Sequence, residues 1–421
     1  MSQNPYILSN KNPAHRTLRK RKAAETRFRF YGQFAIYISL LFLAFMLASI
    51  FSKGFSSFLQ TKVRIEVNFD EKYLNKDDLS SSDFRTITFN SLQETFPEIT
   101  SRRDVMELYS FITKSAPQMV RDKFMADVEE NIGKRAAVWV PASSAIDMYY
   151  KGKVDAQGRM SENQLNIIDN LKRLNAIKIS FNTTFFTHGD SREAELAGIL
   201  GSLTGSIFVI FICMLVALPL GVCAAIYLEE FAPKNRITDV IEIGINNLAA
   251  VPSIVYGLLG LAVYISLFGI PRSSSIVGGL TLALLVLPTI VITTRNALAS
   301  VPPSIRNAAI GLGASPIQVV FHHVLPLSMP GIMTGAILSI SRALGETAPL
   351  LMIGMVAFIK DIPSKLTDPA SALPVQVYIW SDLPELGFVE KTSGAIIILL
   401  VFLAAANATA VYLRKKFEYK W

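Results

Sequence analysis

The chain has 421 residues, 51% of them hydrophobic and 18% charged, with a mean hydropathy of +0.38. That is too little polar surface for an ordinary soluble protein of this length, and it indicates a membrane protein. The net charge of +8 looks like a nucleic-acid footprint until it is located. Lys11, Arg16, Arg19, Lys20, Arg21, Lys22, Arg27 and Arg29 against Glu25 place +7 of it in the first thirty residues. The remainder is close to neutral, so the charge reads as a membrane-anchoring tail with no nucleic-acid partner.

Residues 1–32 form that basic tail directly before an apolar run, as the positive-inside rule expects of a cytoplasmic segment. Residues 33–51 are predicted to be the first transmembrane helix. The run is long for the core of a signal peptide, and the SKGFSSFLQ after it has no small-x-small cleavage pattern. Residues 52–192 are polar with mixed charges and are predicted to form an extracytoplasmic α+β domain between the first and second spans. Within it KVRIEVNF (62–69) and RTITFNSL (85–92) read as strands. Segments 101–113, 118–132 and 161–174 have helical spacing; Ser101 with Asp104 supplies a capping pattern for the first, and Pro117 opens the second.

Apolar runs of spanning length follow at 196–228, 243–271, 273–294, 324–359 (interrupted by charge) and 392–413. The expected fold class is a polytopic α-helical membrane protein of about six transmembrane helices, five of them in a core over 193–421. Lys234, Arg236, Arg295, Arg306, Arg414, Lys415, Lys416 and Lys420 alternate with basic-poor connections. Both termini are therefore expected in the cytoplasm and the large domain outside. Cys213 and Cys223 share one apolar segment, which suggests packing and neither a metal site nor a disulfide.

Arg342 and Glu346 interrupt an otherwise apolar, Gly-rich stretch from Gly331 to Phe358. A charge at mid-bilayer costs about 2.5–3.5 kcal/mol on insertion scales, so it persists mainly where it faces a bundle interior or a solute path. On a helix Gly335, Ser339, Arg342 and Glu346 would share one face. Glu346 could neutralise Arg342 in the absence of solute, leaving a guanidinium fork suited to a tetrahedral oxyanion. Spacing alone equally allows an ion pair that only fixes helix packing.

A second constellation, SVPPSIRNAAIGLGASPIQVVFHHVLPLSMPGI (300–332), joins two spans through a short amphipathic helix, a Gly turn and a Pro-bounded re-entry. It could dock a soluble partner or be an ordinary connector. Adjacent His322 and His323 do not converge on one ion, which argues against a metal site. Glu229 and Glu230 at the end of a span are expected to be solvated or to stabilise a loop. HGDSREAEL (188–196) has no spacing that specifies a catalytic triad.

RNAAIGLG followed by HHVLP resembles the EAA loop of ABC importer permeases: Ala308, Ala309, Gly313, Leu325 and Pro326 match, whereas Asn307 replaces the Glu and His323 the Ile. LPLGVCAAIYLEEFAP (218–233), NNLAAVPSIVYGLLG (246–260) and SRALGETAPLL (341–351) resemble the PstA-type permease subunits of phosphate importers. The likeness covers the first span and the chain from about Phe185 onward; the outer insertion lies outside it. It implies an ABC importer type I permease fold in the bacterial inner membrane. It also implies a PstC-type permease partner, a PstB-type ATPase dimer, a phosphate-binding protein and phosphate itself.

By the same resemblance Arg342, Glu346 and Arg295 would line the substrate path. Loop 300–330, through Arg306, Asn307, Ala308, Ala309, Gly311 and Gly313, would couple to the ATPase. No GxxxxGK[ST] occurs, so ATP-Mg is expected on the partner and no cofactor in this chain. The chain is expected to be a non-catalytic transport subunit. The competing readings are a membrane sensor using the outer domain, an importer of another oxyanion, and an intramembrane lipid enzyme, for which the spans offer few converging groups.

Overall fold

The computed structural model describes residues 13–74, 79, 82–155, 160–356 and 358–416. Lys11 and Lys420 of the topology argument lie outside them. Two compact units are distinguished, Met1–Ser52 and Lys53–Trp421. Helix α1 (Pro13–Gly54) runs unbroken through the basic tail and the apolar run. An Arg29–Glu25 pair at i, i+4 supports its polar half.

The second unit begins with a small α+β module. Strand β1 (Leu59–Asn68) alternates buried and more accessible positions from Thr61 onward and is the centre of a three-stranded antiparallel sheet in the order β2-β1-β3. Its partners are β2 (Arg135–Pro141) and β3 (Ile177–Phe181). The register sets Val63 against Val140 and Ile65 against Val138, so one face carries Val63, Ile65 and Val67 into the core. Six helices accompany the sheet: α2 (Phe84–Thr95), α3 (Arg102–Tyr109), α4 (Ala116–Ala126), α5 (Val128–Asn131), α6 (Ser144–Tyr150) and α7 (Glu162–Arg173).

The segment 85–92, expected as a strand, is the body of α2. Asp83 caps it by accepting from the Thr86 amide at 3.0 Å. Thr88 and Ser91 donate to the carbonyls four residues back, so β-branched and hydroxyl residues are absorbed by the helix. Phe84, Ile87 and Leu92 are thereby buried, and this tertiary packing overrides the local alternation. Ser101 precedes α3 but its side chain makes no cap bond; the reciprocal capping box belongs to Ser161 and Gln164 at α7. The predicted helix 118–132 breaks at Asp127, between α4 and α5.

Chain entry and exit lie side by side, because the Asn182 amide donates to the Phe58 carbonyl at 2.8 Å. After α8 (Thr183–Thr187) come the apolar helices. These are α9 (Leu200–Ile226), α10 (Arg236–Ala249), α11 (Ser253–Gly260), α12 (Ser275–Ala299), α13 (Pro303–Gly311), α14 (Pro316–Val319), α15 (Leu325–Gly345), α16 (Ala348–Met352), α17 (Leu373–Ser381) and α18 (Leu386–Lys416). Five described helical stretches are long and apolar enough to cross a membrane, or six if α10 and the stretch Ser253–Leu267, bent by 100°, count as one.

Two expected single spans are therefore broken. Pro252, extended at φ −56° and ψ 136°, interrupts 243–271, as a residue without an amide N–H does. The run 324–359 leaves the helix at Gly345, and Glu346 is already extended at ψ 117°. Small residues seat the long helices closely: Gly221 of α9 lies on Ile290, and Gly335 of α15 on Thr293, both of α12. The module is bonded to the helices through a buried charge cluster. Lys151 pairs with Asp147 at 2.7 Å and with Glu390 of α18 at 3.1 Å.

Candidate functional site

Arg342 stands in the last turn of α15, half-buried beside α12. Its Nη1 is 3.4 Å from the Thr289 hydroxyl, and its Nε is 3.8 Å from a Glu346 carboxylate oxygen. Both contacts are at the long limit for their kind. Glu346 is not on the shared helical face that the four-residue spacing predicts. It lies just past the helix end, so the pair is splayed. The stripe below it behaves differently: Gly335 and Ser339 are buried, Gly335 against Thr293 of α12. The predicted face thus divides into a packing portion and one loosely tethered guanidinium, which keeps donors free for an anion.

Arg295 occupies the last turns of the neighbouring helix α12. Its Nη2 reaches Glu242 of α10 at 2.7 Å and Glu229 at 3.3 Å, and its Nε also donates to Glu229 at 3.3 Å. One cation held by two carboxylates makes an acidic site, which disfavours a resting anion. Thr289 and Arg295 are six residues apart on α12, about 9 Å of helix rise. The structure gives Arg295 and Arg342 separate polar partners. Glu242 was missed by sequence reasoning. The signal available was the need of an interfacial Arg for counter-ions among the acids of the adjoining connection.

Glu229 and Glu230, expected to be solvated or loop-stabilising, are both in ion pairs. They lie in a π-helical turn, Tyr227–Phe231, that prolongs α9. Glu230 binds Arg306 through both oxygens, at 2.6 and 3.3 Å. Arg306, one of the residues expected in the coupling loop, is therefore bonded within the chain.

The other loop residues are presented outward. Asn307, Ala308, Gly311 and Gly313 are exposed, whereas Ala309 is buried in the cluster beneath α13. Gly313 turns the chain at φ +86°, a left-handed conformation open to glycine. Ser315 and Gln318 then form a capping box for α14. Ile310, Leu312, Ile317 and Phe321 are more than half exposed, an apolar face around the Gly turn. His322 and His323 are also exposed. Cys213 is buried and Cys223 exposed.

In the connection between α8 and α9, Asp190 accepts from the Trp380 indole of α17 at 2.9 Å. Burial raises its pKa above the usual carboxylate value, partly offset by the Trp380 and Gln376 hydrogen bonds.

Comparison with known proteins covers the two parts of the chain separately. The family model for the binding-protein-dependent transport system inner membrane component matches residues 217–419. A domain of unknown function, DUF3333, matches residues 15–159. A probable ABC transporter permease protein, YqgI of Bacillus subtilis, is 33% identical over 55% of this chain and 84% of its own length. The phosphate transport system permease protein PstA of Haemophilus influenzae is 31% identical, over 56% of this chain and 81% of its own length. PstA of Mycobacterium leprae is 33% identical, over 53% and 73%.

The span matched by the family model includes both Arg295 and Arg342. Such permeases work with a second permease, an ATPase and a substrate-binding protein, and hydrolyse no ATP themselves. The chain belongs to the binding-protein-dependent transport system inner membrane component family and is a membrane-embedded permease subunit of an ABC importer.

Proposed function

We propose that the chain is the PstA-type subunit of a phosphate importer with a type I permease fold. It would pair with a PstC-type permease, a PstB-type ATPase dimer that binds ATP-Mg, and a phosphate-binding protein. The observation that carries this reading is Arg342, a guanidinium at the end of a long apolar helix with two contacts at 3.4 and 3.8 Å, in a chain related to proteins named as phosphate permeases. Phosphate in transit displaces Glu346 and takes the paired donors of the fork. Glu346 then competes for the same cation and limits how long the anion is held.

Arg295 acts as a gate and not as a resting site, because Glu229 and Glu242 hold it until the helices rearrange. Ala308, Ala309, Asn307, Gly311 and Gly313 present α13 to the ATPase. With Asn307 in the place of the family Glu, the exposed apolar residues carry more of that contact. Both termini lie in the cytoplasm of a bacterial inner-membrane protein and the α+β module lies outside, in keeping with the basic tail and the basic connections near α13. The module, 52–192, is then available to the binding protein at the permease mouth.

ATP-dependent phosphate uptake by the reconstituted complex tests the reading, with sulfate and molybdate as competitors. Phosphate uptake that survives excess sulfate and molybdate, and falls in R342Q without loss of assembly, supports it. Uptake of another oxyanion in preference, or wild-type uptake in R342Q, overturns it. An ATPase that does not co-purify would favour the sensor reading.

A further inference from the structure

Arg306 makes more contacts than a surface loop residue needs. Besides its fork to Glu230, its Nη1 donates to the Val301 carbonyl at 2.6 Å and its Nη2 to the Leu298 carbonyl at 2.9 Å. Leu298 belongs to the last turn of α12, where carbonyls lack helical partners and cations are favoured. One guanidinium thus joins three elements: α13, the foot of α12 and the π-turn that ends α9. Around it Ile226, Leu298, Val301, Ala309, Val320 and Val324 form one buried apolar cluster. Its side chain is 21% exposed and that of Glu230 is 10% exposed, so neither is screened as a surface pair would be.

The neighbouring pair is built otherwise. Arg295 reaches across to α10, and its partners Glu229 and Glu242 are 26% and 34% exposed. The two consecutive glutamates therefore do different work. Glu230 closes a body made of three chain segments, and Glu229 leans on a bridge to a separate helix.

We propose that Arg306 and Glu230 are a positioning pair that makes α13, the foot of α12 and the end of α9 one rigid body. A displacement imposed on α13 by the ATPase then reaches α12 directly, and with it Thr289, the contact of Arg342. The Arg295 bridge to α10 is the joint that yields. This goes beyond the phosphate reading and depends on it only for the choice of transported solute.

The test uses the full complex with its partner permease, ATPase and binding protein in proteoliposomes. R306Q is expected to lower solute uptake per ATP hydrolysed by about tenfold, within the span of coupling between linked sites. The charge swap E230R/R306E restores the ion pair but sets a carboxylate against the Val301 and Leu298 carbonyls, so it is expected to recover little, and R306K, which keeps the charge but lacks the fork, to fall between wild type and R306Q. A second measurement needs no solute: spin labels at S304C and Y227C, in a background with Cys213 and Cys223 replaced by Ser. Their separation should stay the same in nucleotide-free and nucleotide-trapped states of the otherwise unaltered complex, and broaden in R306Q.

Wild-type uptake per ATP in R306Q, or a label separation that shifts on nucleotide trapping, overturns the proposal. An absence of phosphate uptake by the unaltered complex, together with a constant label separation, would overturn the phosphate assignment and leave the rigid body standing.

Discussion

Two guanidinium groups along α12 are in opposite states. Beside Thr289, Arg342 has a hydroxyl at 3.4 Å and a carboxylate at 3.8 Å; six residues further along, Arg295 has carboxylates at 2.7 and 3.3 Å. Both are membrane-protein arginines at helix ends, and residue type alone treats them alike. Their partners separate them: the loosely tethered one can accept an anion, whereas the one held by two carboxylates is already neutralised. Charged residues in a permease core are therefore better sorted by how completely they are paired than by how deeply they lie.

The largest effect that would break this contrast is expected from R342Q. Charge-assisted hydrogen bonds contribute about 1.5–3 kcal/mol each, so uptake should fall about 10- to 100-fold with the complex intact. Measurement of kcat and KM for uptake would check it, and equal losses in R342Q and R295K would erase the distinction. R342K, which keeps charge but not the planar fork, should lose less, about tenfold. E242Q should loosen the Arg295 bridge and change uptake by no more than about threefold, the scale of a partly exposed pair. A loss in E242Q as large as that in R342Q would place both arginines in one site.

The smallest expected effect concerns Asp190, a buried carboxylate held by neutral donors. Its raised pKa means that the folded state binds the proton more tightly than the unfolded chain. Its contribution to stability is full at acid pH and is lost as pH rises through the raised value. D190N keeps an acceptor for the Trp380 indole and should flatten that dependence. Thermal unfolding of the purified complex at about pH 4, close to the ordinary aspartate value, and at about pH 8 reads it: the unaltered protein should lose stability between the two, and D190N should lose less. D190A should be destabilised at both values, because the buried indole loses its partner.

The geometry also refines how the module can be removed. Entry at Phe58 and exit at Asn182 are hydrogen-bonded neighbours, so a short linker can replace 59–181. Such a deletion also takes Lys151 from Glu390, which keeps the neighbouring buried Lys391 as its counter-charge. Retained affinity for the loaded binding protein in that variant would exclude docking on the module.

Much of the candidate site was legible in the chain. Arg342 stood out because a charge in an apolar run is costly, and the loop at 300–330 because its turn glycine and small residues have a fixed spacing. Less was legible where a partner lies far away in sequence. Glu230 and Arg306 are 76 residues apart and Arg295 and Glu242 are 53 apart, beyond any local periodicity. The strand assigned to 85–92 failed for a local reason: polar and apolar residues alternate from Thr86 to Asn90 as in a strand, but Thr88 and Ser91 bond back to their own helix.

By itself the sequence determined the class of molecule, the basic tail, the apolar runs and the two motifs, because these follow from composition and spacing along one chain. Tertiary structure decided which arginine is free and which is bound, where Pro252 and Gly345 break expected spans, and that Arg306 turns inward. Those outcomes depend on which side chains meet across helices, and an ion pair or a helix end is settled by the neighbour that packs there.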